Sequence, residues 1–465
     1  MKAIQMYRRG GVFLTSFLLV SLLFSLSSCS GGTNYVGTGG GTSGTSYTVT
    51  FKTNGGSAVD SQTVAAGETA KEPEAPKKDG CNFGGWYADS ELTSLFSFAT
   101  KIEKDTTLYA KWTETADKET VAVTSVALDK ETVTVNVLGT VKTATLVATV
   151  LPENATDKTV TWTSSDTSKA TVDANGVVTG VSGGVVTITA TAGGKSAACK
   201  VGIDFVKVAG TTISGSETWE PESNLFVSGR SITIGDLWVC DHEVTQAEYK
   251  KYCKYGGSDP SDTFGVGDNY PAYNVNWYDA VVYCNLRSID EGLTPVYAIS
   301  AETDPTKWSG IVGNATDKYC GPSTKLWDSM TFDNTADGYR LPTDAEFEWL
   351  TRGGEKYTYS GSDNIDDVSW YNNNSDSKTH EVKGKKANSF DIYDMSGNVS
   401  EWCWDWNGTI SASTPATGVS FGSVRVHRGG GHNHSANDSK VSARSVAGHN
   451  GRYNNVGFRV VRAFN

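Results

Sequence analysis

Histidine is the residue type near the C-terminus that is best able to bind a metal. His432 and His434 are two residues apart, with His427 and His449 on either side in sequence. Residues at this spacing share one face if the segment is a strand. Imidazole is a ligand for copper or zinc, so one interpretation is a bis-histidine metal site completed by Glu or Asp. The alternative is an exposed loop without a metal, because glycines and asparagines surround these histidines.

Two other patterns have the spacing of catalytic motifs without the required context. Gly180, Ser182 and Gly184 match a nucleophile elbow, which needs a strand-to-helix turn in an α/β sheet. The flanks here alternate like strands, and residues 121–203 contain no histidine. Residues 193–196 lack the upstream glycine of a phosphate-binding loop. We predict that both patterns are turns.

Composition favours a β-rich extracellular protein of about three domains. The chain has 465 residues, of which 38% are hydrophobic and 50 are glycine. The net charge of −12 argues against nucleic acid as a partner, because binding phosphates needs clustered Lys and Arg. The 13 Trp, 20 Tyr and 16 Phe exclude wholesale disorder. The eight cysteines form no CxxC pair, so a zinc ribbon or a disulfide mini-protein is not indicated.

The N-terminus is typical of a secretory signal. Lys2, Arg8 and Arg9 precede an apolar run at residues 12–26, which is shorter than the roughly 20 residues of a membrane span. Leu26-Ser27-Ser28-Cys29 resembles a bacterial lipobox. The resemblance implies that residues 1–28 are removed and that the Cys29 thiol is acylated.

The lipobox resemblance predicts a tethered protein whose membrane partner is its own lipid anchor. Residues 29–46 are rich in Gly, Ser and Thr and read as a flexible linker. Ser30, rather than Asp, follows the cysteine and favours the outer membrane or cell surface of a bacterium. An ordinary signal peptide that happens to contain Cys29 is the alternative.

Two β-rich modules are predicted next. Residues 47–114 contain a turn at Asn54-Gly55-Gly56, the run 83–87 and a closing strand at 107–112. These landmarks resemble the internalin-type B-repeat, also called the Listeria–Bacteroides repeat. The resemblance implies a β-grasp-like module of bacterial surface proteins.

The second module shows the spacing of an immunoglobulin-like β-sandwich. We predict seven strands, at residues 121–128, 132–137, 143–150, 159–164, 170–172, 177–181 and 185–192. The segments 151–156, 160–164 and 176–180 resemble the bacterial Ig-like group 2 family. The predicted domain covers residues 121–203.

The last segment, residues 205–465, is predicted to be an α+β domain dominated by loops. Thr343 and Glu346 form a capping box before one helix, and residues 278–287 predict another. Six landmarks resemble, in order, the formylglycine-generating enzyme (sulfatase-modifying factor) family, which implies a C-type-lectin-type fold. They are the residues at 243–249, 274–280, 339–346, 393–402, 428–430 and 457–459.

The resemblance implies an oxidase that uses copper held by two thiolates, but this chain lacks them. The matching positions hold His434 and Ser439, Gly431 stands where the family has serine, and residues 404–465 contain no cysteine. Soft Cu(I) selects sulfur ligands. We therefore expect no copper and a catalytically degenerate head. A metal-dependent oxidoreductase with a rebuilt histidine site is the alternative, and an envelope structural protein is a third interpretation.

The resemblance also implies a structural calcium ion at one loop. Its ligands would be Asp394 and Glu401 with the carbonyls of Gly397 and Val399, and oxygen donors suit a hard cation. Asp394 stands where the family has asparagine. The alternative is a loop stabilised by side-chain-to-backbone hydrogen bonds.

The C-terminal segment has an unusual residue usage. Residues 421–465 contain one lysine, Lys440, and no Gln, Glu, Met or Trp. These types cannot be reached from an asparagine codon AAY when only its adenines change. On this fold the pattern resembles the variable proteins of diversity-generating retroelements, which implies a mutagenised C-terminal binding surface. An ordinary Gly/Asn-rich loop is the alternative.

We expect a head that binds a protein or glycan ligand on irregular chain held by a rigid frame. Arg428, Arg444, Gly457 and Arg459 are the predicted frame. The predicted contact residues are His432, Asn433, His434, Asn437, Asp438, His449, Asn450, Arg452 and Tyr453. Pairing among the cysteines stays open.

Overall fold

A computed structural model describes residues 44–115, 120–215 and 219–464 of the chain. The predicted signal, the lipidation residue Cys29 and most of the linker lie outside the described residues. Among the described residues, no helix has both the length and the apolar character that a bilayer crossing requires. The chain divides into two compact units after residue 118, and each is described by itself.

The first unit contains one four-stranded sheet. Its strands are β1 (Ser46–Lys52), β2 (Gln62–Ala65), β3 (Cys81–Tyr87) and β4 (Thr106–Glu114). They lie in the order β2-β1-β4-β3, with β1 parallel to β4. The predicted turn forms after β1, where Asn54 and Gly55 both have positive φ. Phe51, Trp86 and Leu108 form its core.

The second unit begins with two packed β-sheets. The strands are β5 (Ser125–Leu128), β6 (Thr132–Val135), β7 (Thr143–Thr145), β8 (Ala148–Leu151), β9 (Thr161–Ser164), β10 (Ala170–Val172), β11 (Val177–Gly180), β12 (Gly184–Ala192) and β13 (Lys195–Ile203). One sheet has the order β10-β11-β7, a second has the order β6-β13-β12-β9, and β5 pairs with β8. Alternate residues of these strands, including Ile188 and Val201, fill the space between them.

The structure differs from the predicted strands of this domain in two respects. The run at 143–150 is two strands, and between them the buried Leu146 donates its N–H to the Gly176 carbonyl. Strand β7 pairs with β11, whereas β8 pairs with β5. In addition, β13 was not predicted; it returns along β12 after the Gly193-Gly194 turn.

Buried ion pairs join this domain to the C-terminal domain within the second unit. The Lys383 ammonium lies 2.9 Å from the Asp204 carboxylate and 2.7 Å from that of Asp241. Lys169 lies 3.1 Å from Glu291, and its side chain is 9% exposed. The two domains therefore share a desolvated, charge-matched contact.

The C-terminal domain combines short strands, four helices and much irregular chain. Its strands are β14 (Phe205–Val208), β15 (Thr211–Ser214), β16 (Ser231–Ile234), β17 (Leu237–Cys240), β18 (Tyr297–Ala298), β19 (Val312–Asn314), β20 (Lys318–Cys320), β21 (Thr331–Phe332), β22 (Ser400–Trp406), β23 (Arg425–Arg428), β24 (Ser445–Ala447), β25 (Val456–Gly457) and β26 (Val461–Ala463). Its helices are α1 (Gln246–Tyr252), α2 (Trp277–Asp290), α3 (Asp344–Arg352) and α4 (Ile365–Val368), with short 3₁₀ turns at Pro305–Lys307 and Ala436–Ser439.

Local sequence signals account for the two helices that were predicted. A capping box of Thr343 and Glu346 begins α3, which ends at Gly353 in the left-handed region. Another box, of Asn276 and Asp279, begins α2. Helix α3 packs on β22 and β23 of the sheet β24-β23-β22-β25, to which the C-terminal segment contributes β23, β24 and β25.

Candidate ligand-binding site

The predicted frame arginines hold the C-terminal segment through buried carboxylates. The Arg428 guanidinium lies 3.1 Å from Asp344 and 2.6 Å from Glu348. Arg444 lies 2.6 Å from the other oxygen of Asp344. Because one carboxylate joins both arginines, the two ends of the intervening chain are fixed to α3.

The first group of predicted contact residues lies on that intervening chain. Asn433 and Asn437 are exposed, while His434 and Asp438 are half-buried. The Asn455 side chain joins Asn433 at 2.9 Å and His434 at 2.8 Å. The segment forms turns and a 3₁₀ turn instead of a strand, so His432 and His434 do not share a strand face.

His432 and His449, two of the predicted contact residues, are buried. His432 is 1% exposed, and neither of its ring nitrogens has a hydrogen-bond partner among the described residues. His449 is fully buried between the rings of Tyr278 and Trp406, at 5.3 and 5.1 Å. Both rings are part of the interior, although the Gly/Asn-rich sequence around them suggested an exposed loop.

The remaining predicted contact residues are half-buried. Asn450 donates to the Ser323 carbonyl at 3.1 Å. Arg452 forms an ion pair of 2.8 Å with Asp279, and the Tyr453 ring lies 6.4 Å from that of Trp402. Arg452 therefore fastens the segment to the first turn of α2, and its side chain is 10% exposed.

Burial also lowers the pKa of His427 to about 4, with the neighbouring His434 as the second cause. Its ring packs edge-on against Trp402 at 5.7 Å, and its Nδ1 has no partner in the described chain. The unfolded chain binds a proton here near the ordinary value of 6.5. Between pH 4 and pH 6.5 the unfolded state binds more protons at this residue than the folded state does. The free energy of unfolding therefore rises with pH in this range and falls as the pH is lowered.

Acid is therefore expected to destabilise the protein partly through His427. Between pH 6.5 and 4 we expect this imidazole to remove up to about 3 kcal/mol from the free energy of unfolding. Urea unfolding of wild type and His427→Gln at several pH values in this range measures how steeply the free energy of unfolding depends on pH in each protein. His380→Gln, at a half-exposed histidine stacked on Trp370, is the matched control and should keep the wild-type slope. Equal slopes for wild type and His427→Gln would contradict the prediction.

The described residues contain one set of three acidic, histidine or cysteine side chains whose donor atoms converge. It consists of Asp204, Asp241 and His242, and the Lys383 ammonium already bridges the two aspartates. The four histidines of the C-terminal segment are not in that set. The geometry therefore offers no three-ligand metal site at His432 and His434.

The predicted calcium loop is held by protein donors. Both carboxylate oxygens of Glu401 accept from Arg459 at 2.6 Å. Asp394 accepts from the Lys383 N–H at 2.7 Å. A guanidinium therefore occupies the position at which a cation would balance Glu401, and Glu401 does not fit the role of a calcium ligand.

A further carboxylate completes this loop. Glu243 accepts from the Val399 N–H at 2.9 Å and from the Asn398 side chain at 2.7 Å. Burial raises the pKa of Glu243, Asp394 and Glu401. The arrangement fits a loop stabilised by hydrogen bonds to side chains, which was the alternative to calcium.

A cavity of about 460 Å³ opens beside β22 and β23. Arg425 lies in its wall, with its guanidinium carbon 3.5 Å from the Trp406 ring centre and 3.8 Å from that of Trp277. The cavity is lined by Asp328, Met330, Phe332, Asn334, Trp404, Trp406, Pro415, Thr417, Gly418, Val419, Ser420 and Arg425. This cavity was not predicted, although the alternation of Trp402, Trp404 and Trp406 could have indicated an aromatic face.

Comparison with known protein families shows to which family the chain belongs. The sulfatase-modifying factor enzyme 1-like domain matches residues 195–464. The chaperone protein LppX of Paenibacillus barcinonensis is 38% identical over 257 residues, which are 51% of this chain and 83% of that protein. The chain belongs to the sulfatase-modifying factor enzyme 1-like family.

The N-terminal modules match as well. The Listeria-Bacteroides repeat domain matches residues 47–111, and the bacterial Ig-like domain (group 2) matches residues 122–201. The protein is therefore mostly β and multidomain, as predicted, with an Ig-like domain before the sulfatase-modifying factor domain.

Two further relatives share the C-terminal domain. The formylglycine-generating enzyme of Streptomyces coelicolor is 31% identical over 156 residues, which are 29% of this chain and 49% of that enzyme. Among solved structures, Treponema denticola variable protein 1 is 29% identical, with a TM-score of 0.48 over 59% of this chain and 98% of that protein.

The residues at the copper positions of the sulfatase-modifying factor family do not fit copper here. Ser439 is buried, and its hydroxyl has no partner among the described residues. The His434 ring contacts the Gly431 N–H through Nδ1 and Asn455 through Nε2. Burial raises the pKa of the Cys403 thiol, as it does for Cys253. Copper(I) prefers thiolates, and no thiolate pair is available at these positions.

The cysteines whose pairing was left open are all unpaired in the described chain. Cys240, Cys253, Cys284, Cys320 and Cys403 are buried free thiols. They contribute to the interior as small apolar side chains.

Proposed function

We propose that this protein is a surface lipoprotein whose C-terminal domain binds a protein or glycan ligand without catalysis. The observation that carries the proposal is a contrast within the C-terminal segment. Arg428 and Arg444 are fixed to one buried carboxylate, whereas Asn433 and Asn437 between them are exposed. A rigid frame with short polar side chains at its surface suits recognition, because little conformational entropy is lost on binding.

The non-catalytic role is supported by the chemistry of the family's copper positions. His434 and Ser439 replace the two thiols, and the first is half-buried while the second is fully buried. The scaffold retains the frame of an oxidase and lacks its soft ligands. A structural calcium ion at Asp394, Gly397 and Val399 remains a proposal, in which Glu401 takes no part.

Display at the surface is supported by the N-terminal modules. The signal, the acylated Cys29 and the linker would anchor the chain, with the repeat and the Ig-like domain between anchor and head. Curated relatives of the repeat region include a putative membrane protein of Evansella cellulosilytica, 45% identical over 67 residues. We propose a β-grasp-like fold for the repeat, a C-type-lectin-type fold for the head and the outer membrane as the location.

Binding is tested with glycan and peptide arrays probed by residues 30–465, which lack the predicted signal and the acylated Cys29. We expect at least one ligand to be retained, and Asn433→Ala/Asn437→Ala to weaken that signal by about 10-fold or more. The matched control is Asn82→Ala/Asn175→Ala, which truncates two exposed asparagines of the N-terminal modules and should change nothing. Binding that is indifferent to both double variants would contradict the proposed surface.

The enzymatic alternative predicts different measurements. Stoichiometric copper or iron in the purified protein, lost in His434→Ala, would favour an oxidoreductase with a rebuilt histidine site. Conversion of a peptide thiol to an aldehyde, detected by mass spectrometry, would overturn the non-catalytic proposal. An envelope structural role predicts that removal of residues 425–465 leaves adhesion unchanged.

We also propose that the C-terminal segment is diversified. The support is the residue usage of positions 421–465 together with the frame that holds the exposed positions. The genomic test is a nearby near-copy of the 3′ coding segment that differs only at adenines, beside a reverse transcriptase gene. If both are missing, the head is a binding protein of fixed sequence.

A further inference from the structure

The Arg425 cavity contains a buried guanidinium whose nearest opposite charges, Asp405 and Asp328, act on it from beyond ion-pair distance. Arg425 is 1% exposed, and no carboxylate of the described chain lies within ion-pair distance of it. Its Nε–H has no acceptor among the described residues, and one terminal nitrogen donates to the Trp404 carbonyl. Burying a charge without a counter-ion is expensive, so such a group indicates a partner from outside the chain.

The other buried arginines of the described residues have carboxylate or carbonyl partners, although the Arg428 Nε–H, like that of Arg425, makes no hydrogen bond. Arg287, Arg340, Arg352, Arg428 and Arg459 each form an ion pair with Glu or Asp. Arg230 donates to three backbone carbonyls at 2.6–3.0 Å. Arg425 therefore departs from the way this fold treats a buried guanidinium.

Tryptophan rings hold the guanidinium in a fixed plane. Its carbon lies 3.5 Å from the Trp406 ring centre, 3.8 Å from that of Trp277 and 5.1 Å from that of Trp404. Contacts with ring faces stabilise a desolvated cation while leaving its N–H edge free to donate. Burial nevertheless lowers the pKa of Arg425 to about 9, which an anion at that edge would reverse.

The cavity also has the size and walls of a small-molecule site. Its volume of about 460 Å³ lies within the range of ligand pockets. Trp404, Trp406 and Phe332 provide flat apolar surface, and Asn334, Thr417 and Ser420 provide polar groups around it. Asp328 accepts from the Tyr278 hydroxyl at 2.8 Å and is 44% exposed, so it can accept from a ligand hydroxyl as well.

We propose that this cavity binds a ring that carries a carboxylate, with the carboxylate on Arg425 and the ring against Trp404 and Trp406. The planar fork of arginine matches a carboxylate in two parallel hydrogen bonds. A uronic acid unit of a glycan and an aromatic acid share this chemistry. The proposal rests on the proposed binding function and names the chemical class of its ligand.

The test measures tryptophan fluorescence of residues 30–465 against four probes. Galacturonate and benzoate carry the carboxylate, while galactose and benzamide are their neutral counterparts. We expect a carboxylate probe to bind at least about 10-fold more tightly than its counterpart, as one charged hydrogen-bonded contact implies. Preference for galacturonate indicates a glycan source, and preference for benzoate indicates an aromatic acid.

Two variants make the assignment falsifiable. Arg425→Gln should reduce carboxylate binding by about 10-fold or more and leave binding of the neutral probe unchanged. If Arg425→Gln fails to fold, Trp406→Phe keeps the charge and reduces the ring contact, so it should weaken both members of each probe pair equally. Equal affinity of charged and neutral probes, or no binding of either carboxylate probe up to about 50 mM, would overturn the proposal.

The outcome is separable from that of the proposed function. An array ligand that depends on Asn433 and Asn437 but not on Arg425 would leave the binding function intact and remove the carboxylate assignment. Binding of a carboxylate probe that Asn433→Ala/Asn437→Ala does not change would support the cavity and contradict the exposed surface.

Discussion

Glu401→Gln is expected to lower the free energy of unfolding by about 3–5 kcal/mol, because it breaks an ion pair in the interior of the domain. Glu401 and Arg459 are both fully buried, and two parallel hydrogen bonds of 2.6 Å join them. Glutamine keeps the shape of glutamate but removes its charge. The Arg459 guanidinium would then lose its hydrogen-bonded counter-ion in the interior and keep only the more distant charges of Glu243 and Asp394, and this is the source of the loss.

Urea unfolding of residues 30–465, followed by circular dichroism and tryptophan fluorescence, measures this loss. Asp290→Asn is the matched control, because the Lys251–Asp290 pair of 3.1 Å has side chains that are 60% and 53% exposed. That variant should change stability by no more than the experimental error. The double variant Glu401→Gln/Arg459→Met should be more stable than Glu401→Gln, since it removes the uncompensated charge.

The same variants decide between the guanidinium and calcium at this loop. If Glu401 ligates calcium, chelation should destabilise the wild type and leave Glu401→Gln unaffected. If Arg459 is its partner, chelation should leave their stability difference unchanged. A loss below about 1 kcal/mol in Glu401→Gln would contradict the importance of the ion pair, because that is the range of a surface pair.

Gly397→Ala is expected to destabilise the protein by about 3 kcal/mol or more, through backbone strain and overlap together. Gly397 has a φ of 89°, in the region that favours glycine. A Cβ at this position would lie 2.1 Å from the Ser369 hydroxyl and 2.5 Å from the Trp370 carbonyl oxygen. The backbone of residue 370 has no room to move away, because its carbonyl also accepts from the Asn398 N–H.

Gly354→Ala separates the two contributions. Gly354 has a φ of 75°, but the nearest atoms to a Cβ there are 3.8 Å away, on the Phe390 ring. This control should lose about 1 kcal/mol, from the backbone conformation alone. Similar losses in the two variants would show that the close approach of Gly397 to residues 369 and 370 is unimportant.

The features that depend on local sequence were the predictable ones. The capping box at Thr343 predicted the start of α3, because a cap is formed by residues three apart. The Asn54-Gly55 turn was predictable for the same reason. Family resemblance added the domain order, which the matches to residues 47–111, 122–201 and 195–464 confirm.

The features that depend on distant partners were not predictable from spacing. Arg459 is 58 residues from Glu401, so nothing local distinguished an ion pair from a calcium ligand. His432 and His434 have the spacing of two residues on one strand face, but the chain turns because the His434 N–H donates to the Gly431 carbonyl. Nothing in the sequence distinguished Arg425 from the other arginines. In the structure it lies against tryptophan rings and forms no ion pair with a carboxylate of the described chain.

The Lys383 contact between the Ig-like domain and the head has a mechanical consequence. Its ammonium connects Asp204, where one domain ends, with Asp241 inside the next, and both carboxylates are desolvated. Separating the domains would expose a buried charge cluster, so a force applied to the C-terminal domain would pass through residue 204 without bending the chain there. The Ig-like domain and the C-terminal domain are therefore expected to turn together as one stiff arm.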